Sequence, residues 1–172
     1  MKIAYFDCSA GISGDMCLGA LVDSGLPLKK IQKGLKGLSV RGYRIEATRV
    51  KRAGITATKV DVVIRQSAIS GQQSAKRWKD IMKIIKDSSL PDGVRQKGLG
   101  VFKRLFEAEG RVHGNEYTRT HLHELGAVDC IVDIIGTLIG LNILGVEKVY
   151  SSALNLGMGS VMTEHGSLPV PA

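Results

Sequence analysis

The sequence predicts an α/β fold: one domain built on a mixed sheet, with a parallel core strand and helices packed around it. Three observations predict it. Ile3, Ala4, Tyr5 and Phe6 form a short apolar run without polar alternation, the pattern of a strand buried on both faces. Residues 43–50 and 55–64 alternate in polarity and flank a Lys-Arg-Ala-Gly connection, the pattern of an antiparallel hairpin. Several further segments repeat apolar residues at helical spacing. A chain of 172 residues is long enough for one domain with a sizeable core.

The elements follow in order. Residues 2–7 read as a central parallel strand ending on Asp7. A loop of small residues, Cys8 to Asp15, leads into a helix from Met16 to Ser24, with Gly25 as its stop. A second helix spans Pro27 to Leu38, with proline in its first turn. The hairpin follows. Residues 66–75 are small and polar and read as a loop. Trp78, Ile81, Met82 and Ile85 give residues 78–86 one apolar face. Pro91 opens a long helix over Asp92 to Arg111, with Val94, Leu99, Phe102, Leu105 and Phe106 inward and His113 just past its end. Ala127 to Val146 is the most apolar helix. Residues 147–152 read as a strand and 155–165 as a loop. Leu168 to Ala172 carries two prolines, so it reads as an extended tail. The domain is expected over residues 1–166 and the tail over 167–172.

Composition narrows the function. A hydrophobic content of 44% and a charged content of 23% are those of an ordinary soluble protein. Met1 and Lys2 run straight into a strand, so no signal peptide is expected, and the apolar segment after Ala127 holds two aspartates, which argues against a membrane span. Three cysteines, Cys8, Cys17 and Cys130, lack metal-motif spacing; reduced thiols in a cytoplasmic protein are expected. The net charge of +8 is uneven. Residues 29–52 hold nine Lys and Arg against one acid, Glu46, whereas residues 113–172 hold six acids, two bases and all four histidines. A cation is drawn to the latter and an anion to the former. One Trp, 5% aromatics and no nucleic-acid signature speak against nucleic acid.

Chemistry concentrates in His121-Leu122-His123-Glu124-Leu125-Gly126-Ala127-Val128-Asp129, continued by Asp133. In an extended segment, His121 and His123 point to one side. Asp129 and Asp133 share one face of the following helix. A carboxylate on a buried helix is costly unless a partner or a metal meets it. The alternative is plain: Asp129 sits where a helix N-terminus favours a carboxylate, and the histidines are partly buried. Imidazole with carboxylate suits zinc, nickel, iron or manganese alike. The Gly11-Ile12-Ser13-Gly14-Asp15 loop, between a strand and a helix start, reads either as an anion cradle or as a tight turn capped by Ser13 or Asp15.

Three stretches carry a resemblance: Phe6-Asp7-Cys8 with Gly11 to Met16; His121 to Asp129; and Gly157 through His165-Gly166 to Pro169-Val170-Pro171-Ala172. Val112-His113-Gly114 also fits. Together they resemble the N-terminal part of the LarC family, nickel-insertion proteins of lactate racemase cofactor synthesis. The resemblance implies a nickel cyclometallase of the lyase class. Its substrate is a pyridinium-3,5-bisthiocarboxylic acid mononucleotide, and it requires CTP with Mg2+ or Mn2+. It implies His121, His123, Glu124, His113 and His165 as nickel ligands. Glu124, Asp129 and Asp15 are the implied catalytic carboxylates, and Gly11, Ser13, Gly14 and Asp15 the implied mononucleotide-binding group. Family members usually continue past the Pro-Val-Pro-Ala tail. The chain is therefore expected to be an N-terminal half that is incomplete without a C-terminal LarC half, in a homo-oligomer, with no membrane or nucleic-acid partner. Cys130 stands where the family commonly has Ser and Ala153 where it commonly has Pro. Neither alters an implied ligand. The competing readings are a metal-dependent hydrolase and a non-enzymatic nickel carrier or basic RNA-binding module.

Overall fold

A computed structural model of the chain describes residues 1–64, 77–122, 127–163 and 166–170. Among the described residues it is an α/β fold of five α-helices and three two-stranded sheets. In chain order these are β1 (Ile3–Phe6), α1 (Gly14–Asp23), α2 (Leu28–Leu35), β2 (Tyr43–Arg52), β3 (Ile55–Ile64), α3 (Trp78–Lys86), α4 (Asp92–His113), α5 (Ala127–Ile143), β4 (Lys148–Ser151), β5 (Gly159–Thr163) and β6 (Gly166–Val170). A 3-10 turn, Tyr117–Arg119, follows α4.

The core forms around α5. Val128, Ile131, Val132, Ile135 and Ile139 are buried along it. Their spacing of three and four residues puts them on the inner side of one helix. Leu18 of α1 with Ile31 and Leu35 of α2 reach the α5 backbone at Gly136, and α4 approaches it where Gly98 meets Ile135. Phe102, Phe106, Ile81 and Ile85 are closed off from solvent on the other side. The Trp78 ring stands edge-on to both Phe106 (5.9 Å between centroids) and Tyr117 (5.6 Å), a favourable aromatic geometry. Each fully buried Leu, Ile or Phe contributes on the order of 1.5–3 kcal/mol relative to exposure.

The β2–β3 hairpin pairs Tyr43 with Ile64 through to Arg52 with Ile55. β2 runs two residues beyond its expected end, through Arg52, and β3 begins at Ile55 as expected, which leaves a two-residue turn at Ala53 (φ 48°) and Gly54 (φ 84°). Both φ values are positive, as the turn that matches strand twist requires. Arg49 of β2 donates to Asp23 of α1 and to Thr58 of β3, tying that helix to the hairpin.

Four expectations change. β1 is parallel to β4, in register from Ile3 with Lys148 to Phe6 with Ser151, but it is neither central nor buried: Ile3 and Tyr5 are exposed and β4 is its one partner strand among the described residues. Its apolar sequence promised cover that these residues do not provide. Residues 159–163, expected as loop, form β5 and pair with 166–170, which overlaps the tail expected over 167–172, so that Ser160 faces Pro169. Proline is tolerated there because the strand needs no N–H on that edge. The second helix is shorter than expected, with Pro27 as its N-cap. α4 is longer, so that His113 is its last residue and Gly114, at φ 65°, its stop. The expected loop at 66–75 lies outside the described residues.

Candidate functional site

In open α/β sheets the loops at the carboxyl ends of parallel strands gather the functional groups. Here those ends are Phe6 of β1 and Ser151 of β4, and the loops that follow are stitched together. The Cys8 N–H donates to Ser152 Oγ (2.8 Å) and the Ser152 N–H to the Phe6 carbonyl (3.0 Å). Asn155 donates through Nδ2 to the Ser9 carbonyl (2.9 Å) and through its own N–H to the Cys8 carbonyl (3.3 Å). Its Oδ1 accepts the Gly157 N–H (3.0 Å). Ser152 and Asn155 therefore hold the crest in shape. Sequence reasoning missed both, since a Ser and an Asn in a small-residue loop carry no signal without knowledge of the facing strand.

Asp7 closes β1. Its carboxyl lies below the usual range because the Ser9 N–H and hydroxyl stabilise the anion. The loop then turns through Gly11, whose N–H is committed to the Cys8 carbonyl (2.9 Å). Ser13 is extended at the start of α1, and its hydroxyl donates to Asp15 Oδ1. The same oxygen accepts the Met16 N–H (2.8 Å), so Asp15 satisfies one of the first-turn donors of α1.

α1 meets α5 at this end. A Cβ on Gly14 would run into the Asp133 side chain at its Cβ, Cγ and Oδ2, so only glycine admits the approach. Asp133, half-buried, is pushed up to about 7, chiefly by burial and then by the charges of Asp129 and Asp15. Its Oδ1 is buried and has no hydrogen-bond partner among the described residues, and the same holds for Thr137 Oγ1 one turn later. Asp129, more exposed, is also raised, first by partial burial and then by Asp15. Asp133 therefore feels two neighbouring carboxylates, Asp129 on its own helix and Asp15 on α1, and Asp129 feels Asp15.

Two thiols border them. Cys17 is pushed up to about 11 by burial, then by Cys8, Asp133 and Asp15. Cys130 is pushed up to about 11 by burial, then by Asp133 and Asp129. Both are neutral thiols at pH 7, poor nucleophiles in the absence of a metal. The three cysteines are unpaired, as expected.

Two histidines have partners of their own. His121 forms an isolated bridge with Arg77, whose Nε donates to His121 Nε2 (2.8 Å). His113 pairs with Glu109 one turn back on α4 (3.4 Å). Among the described residues, no three His, Cys, Asp or Glu side chains converge closely enough to hold a metal ion. His123, Glu124 and His165 lie outside the described residues. Of the implied carboxylates the structure brings together Asp15 and Asp129, with Asp133 added. Asp133 is the group with the largest carboxylate perturbation, and its signal was its spacing from Asp129.

The basic part of the chain forms a second feature. Lys29 and Lys33 of α2, Lys36 just past its end, and Tyr43, Arg44 and Ile45 of β2 line a cleft of about 480 Å3. Among the described residues no helix is long and apolar enough to cross a membrane.

The nickel insertion protein family model matches residues 4–172. A relative from Geobacter sp. (strain M21), named for nickel insertion, is 47% identical over the whole chain, which covers 44% of that relative. A relative from Desulfitobacterium hafniense (strain DSM 10664 / DCB-2) is named as the pyridinium-3,5-bisthiocarboxylic acid mononucleotide nickel insertion protein. It is 46% identical over the whole chain, which covers 42% of it. A third, from Dictyoglomus thermophilum, is 41% identical, with 43% of its length covered. The chain therefore spans less than half the length of these curated relatives. No solved structure matches it. With the matched model reaching from β1 to the last residue, the chain belongs to the nickel insertion protein family.

Proposed function

We propose that this chain supplies the carboxylate side of a nickel-cyclometallating site. The substrates are Ni2+ and pyridinium-3,5-bisthiocarboxylic acid mononucleotide, and the product is the nickel-pincer cofactor of lactate racemase. The observation that carries the reading is the buried Oδ1 of Asp133, without a partner among the described residues and within the field of Asp129 and Asp15. Carboxylates held together against their own repulsion gain stability when a divalent cation or a proton arrives. Forming a nickel–carbon bond at the pyridinium ring breaks a C–H bond, and the proton needs an acceptor. A carboxylate poised near neutrality is suited to that task, since the best general base titrates near the working pH. Asp133 is assigned that role and Asp129 and Asp15 the surrounding field.

Nickel itself is held by His121, His123 and Glu124, with His113 and His165 as further candidates. The mononucleotide phosphate is assigned to the Gly11, Ser13, Gly14 and Asp15 loop. Gly11 and Met16 N–H groups are already engaged, so the phosphate contact rests on Gly14 and Asp15 in the first turn of α1. A C-terminal half supplies the CTP site with its Mg2+ or Mn2+, and the assembly is a cytoplasmic homo-oligomer. The lyase class and the incompleteness of this chain alone belong to the same reading.

The test joins this chain to the remainder of the Desulfitobacterium hafniense relative and supplies precursor, CTP and Ni2+. Asp133→Asn is expected to lower the rate of nickel-pincer formation by roughly 100-fold while nickel retention persists, the range typical of a lost general base. His121→Ala and His123→Ala are expected to lower nickel retention. Full activity in Asp133→Asn removes the proton-acceptor role. Full activity in both histidine variants removes the metal assignment.

A further inference from the structure

Parallel strands are found almost only where both faces of the sheet are covered. β1 and β4 break that rule. Their register places Ile3 and Tyr5 with Lys148 and Tyr150 on one face, and Ala4 and Phe6 with Val149 and Ser151 on the other. Val149, itself 53% exposed, borders a cleft with Val94, Leu138 and Leu141, so the second face is turned toward α4 and α5 without being closed by them. The first face has no helix over it among the described residues: Ile3 is 48% exposed, Tyr5 66% and Tyr150 50%. Among the described residues both outer edges of the pair are unpaired. A two-stranded sheet is marginal by itself, and an uncovered apolar strand with free edges is an association site.

The open face continues along the chain. The segment after β4 is tied to the loop after β1 by Ser152 and Asn155. It carries exposed Leu154, Leu156 and Met158 into the β5–β6 hairpin, where Val161 and Met162 are exposed too. Exposed apolar side chains thus recur from β1 to Met162 of β5.

We infer that the β1–β4 sheet is the docking surface for the remainder of the family's longer chain, which adds strands to its free edges and covers the face of Ile3, Tyr5 and Tyr150. The inference rests on the reading that a C-terminal half completes the enzyme. The relatives hold more than half of their length outside the matched segment, enough for the missing strands and helices. A second copy of this chain fits less well. Edge pairing about a two-fold axis would extend the sheet but leave that face bare. Extension of a parallel sheet with cover on its face is what crossover units of one chain provide.

The experiment compares this chain with the intact Desulfitobacterium hafniense relative by amide hydrogen exchange and hydroxyl-radical footprinting. Amides of the strands matching β1 and β4 are expected to exchange at least 100-fold more slowly in the intact relative, after correction for sequence. Side chains matching Ile3, Tyr5 and Tyr150 are expected to be modified at least 10-fold less. Equal exchange and equal modification in the two proteins would overturn the inference. So would protection that appears in this chain alone on raising its concentration from 1 to 100 µM, because the occupant would then be a second copy. Failure of nickel insertion with the strands protected would sink the proposed activity and leave the surface standing. Insertion with the strands unprotected would do the reverse.

Discussion

Replacing Asp133 by Asn gives the most direct measure of the carboxylate cluster. The Asp133 carboxyl rises from 3.8 to about 7 on folding, with burial the first cause and Asp129 and Asp15 the next. Converted in full, that rise is roughly 4 kcal/mol. The group is only about half-buried, and solvent screening reduces the figure to about 2 kcal/mol. Between pH 4 and 7 the folded chain holds a proton that the unfolded chain has lost. The native state then binds more protons than the unfolded one, so stability falls as pH rises through this window and levels off above it. Asn cannot ionise, so the variant should lack this slope. It should equal or exceed the parent's stability at pH 8, by up to about 2 kcal/mol. Urea unfolding of both proteins from pH 4.5 to 8, followed by circular dichroism, gives the difference curve and cancels every other titrating group. A flat difference curve, or one in which the parent gains on the variant toward pH 8, would refute the reasoning.

Three further outcomes are expected. Gly14→Ala should cost about 1–3 kcal/mol, because the methyl group meets the Asp133 side chain and α1 must shift from α5; a thermal melt reads it. Ala53→Asn should stabilise the chain by about 0.5–1 kcal/mol, since Asn tolerates the left-handed turn position that Ala occupies at φ 48°; chemical unfolding reads that. Alkylation of Cys17 and Cys130 by iodoacetamide at pH 7.5 should run roughly 100-fold slower than in the urea-unfolded chain, because thiols near 11 hold so little thiolate. The rate at Cys130 should rise in Asp133→Asn, where one of the opposing charges is gone.

The helices were legible in the sequence because their apolar faces recur at helical spacing, as in Ile131, Ile135 and Ile139. The hairpin was legible because alternation and an Ala-Gly turn agree. Asp129 and Asp133 were legible from their spacing on one helical face, and the family motifs point to Asp15 and Asp129. Three things were not legible. A strand's composition states that it wants cover, not whether this stretch of chain supplies it, so β1 reads as buried. Pro169 and the flanking glycines disguised the β5–β6 pair, since an edge strand tolerates what a central strand does not. The weight of Asp133 depends on Gly14, a residue without a side chain, and on how closely two helices approach; neither has a periodic signature.

Trp78 is the chain's one indole, and it is wedged between Phe106 and Tyr117 next to the arginine that holds His121. Its ultraviolet emission therefore belongs to a single place in the molecule, beside an imidazole assigned to nickel. A paramagnetic ion arriving at that imidazole would dim the emission, and loosening of α3 from α4 would shift its colour. Metal loading and partial unfolding can thus be told apart in one cuvette, with no label attached.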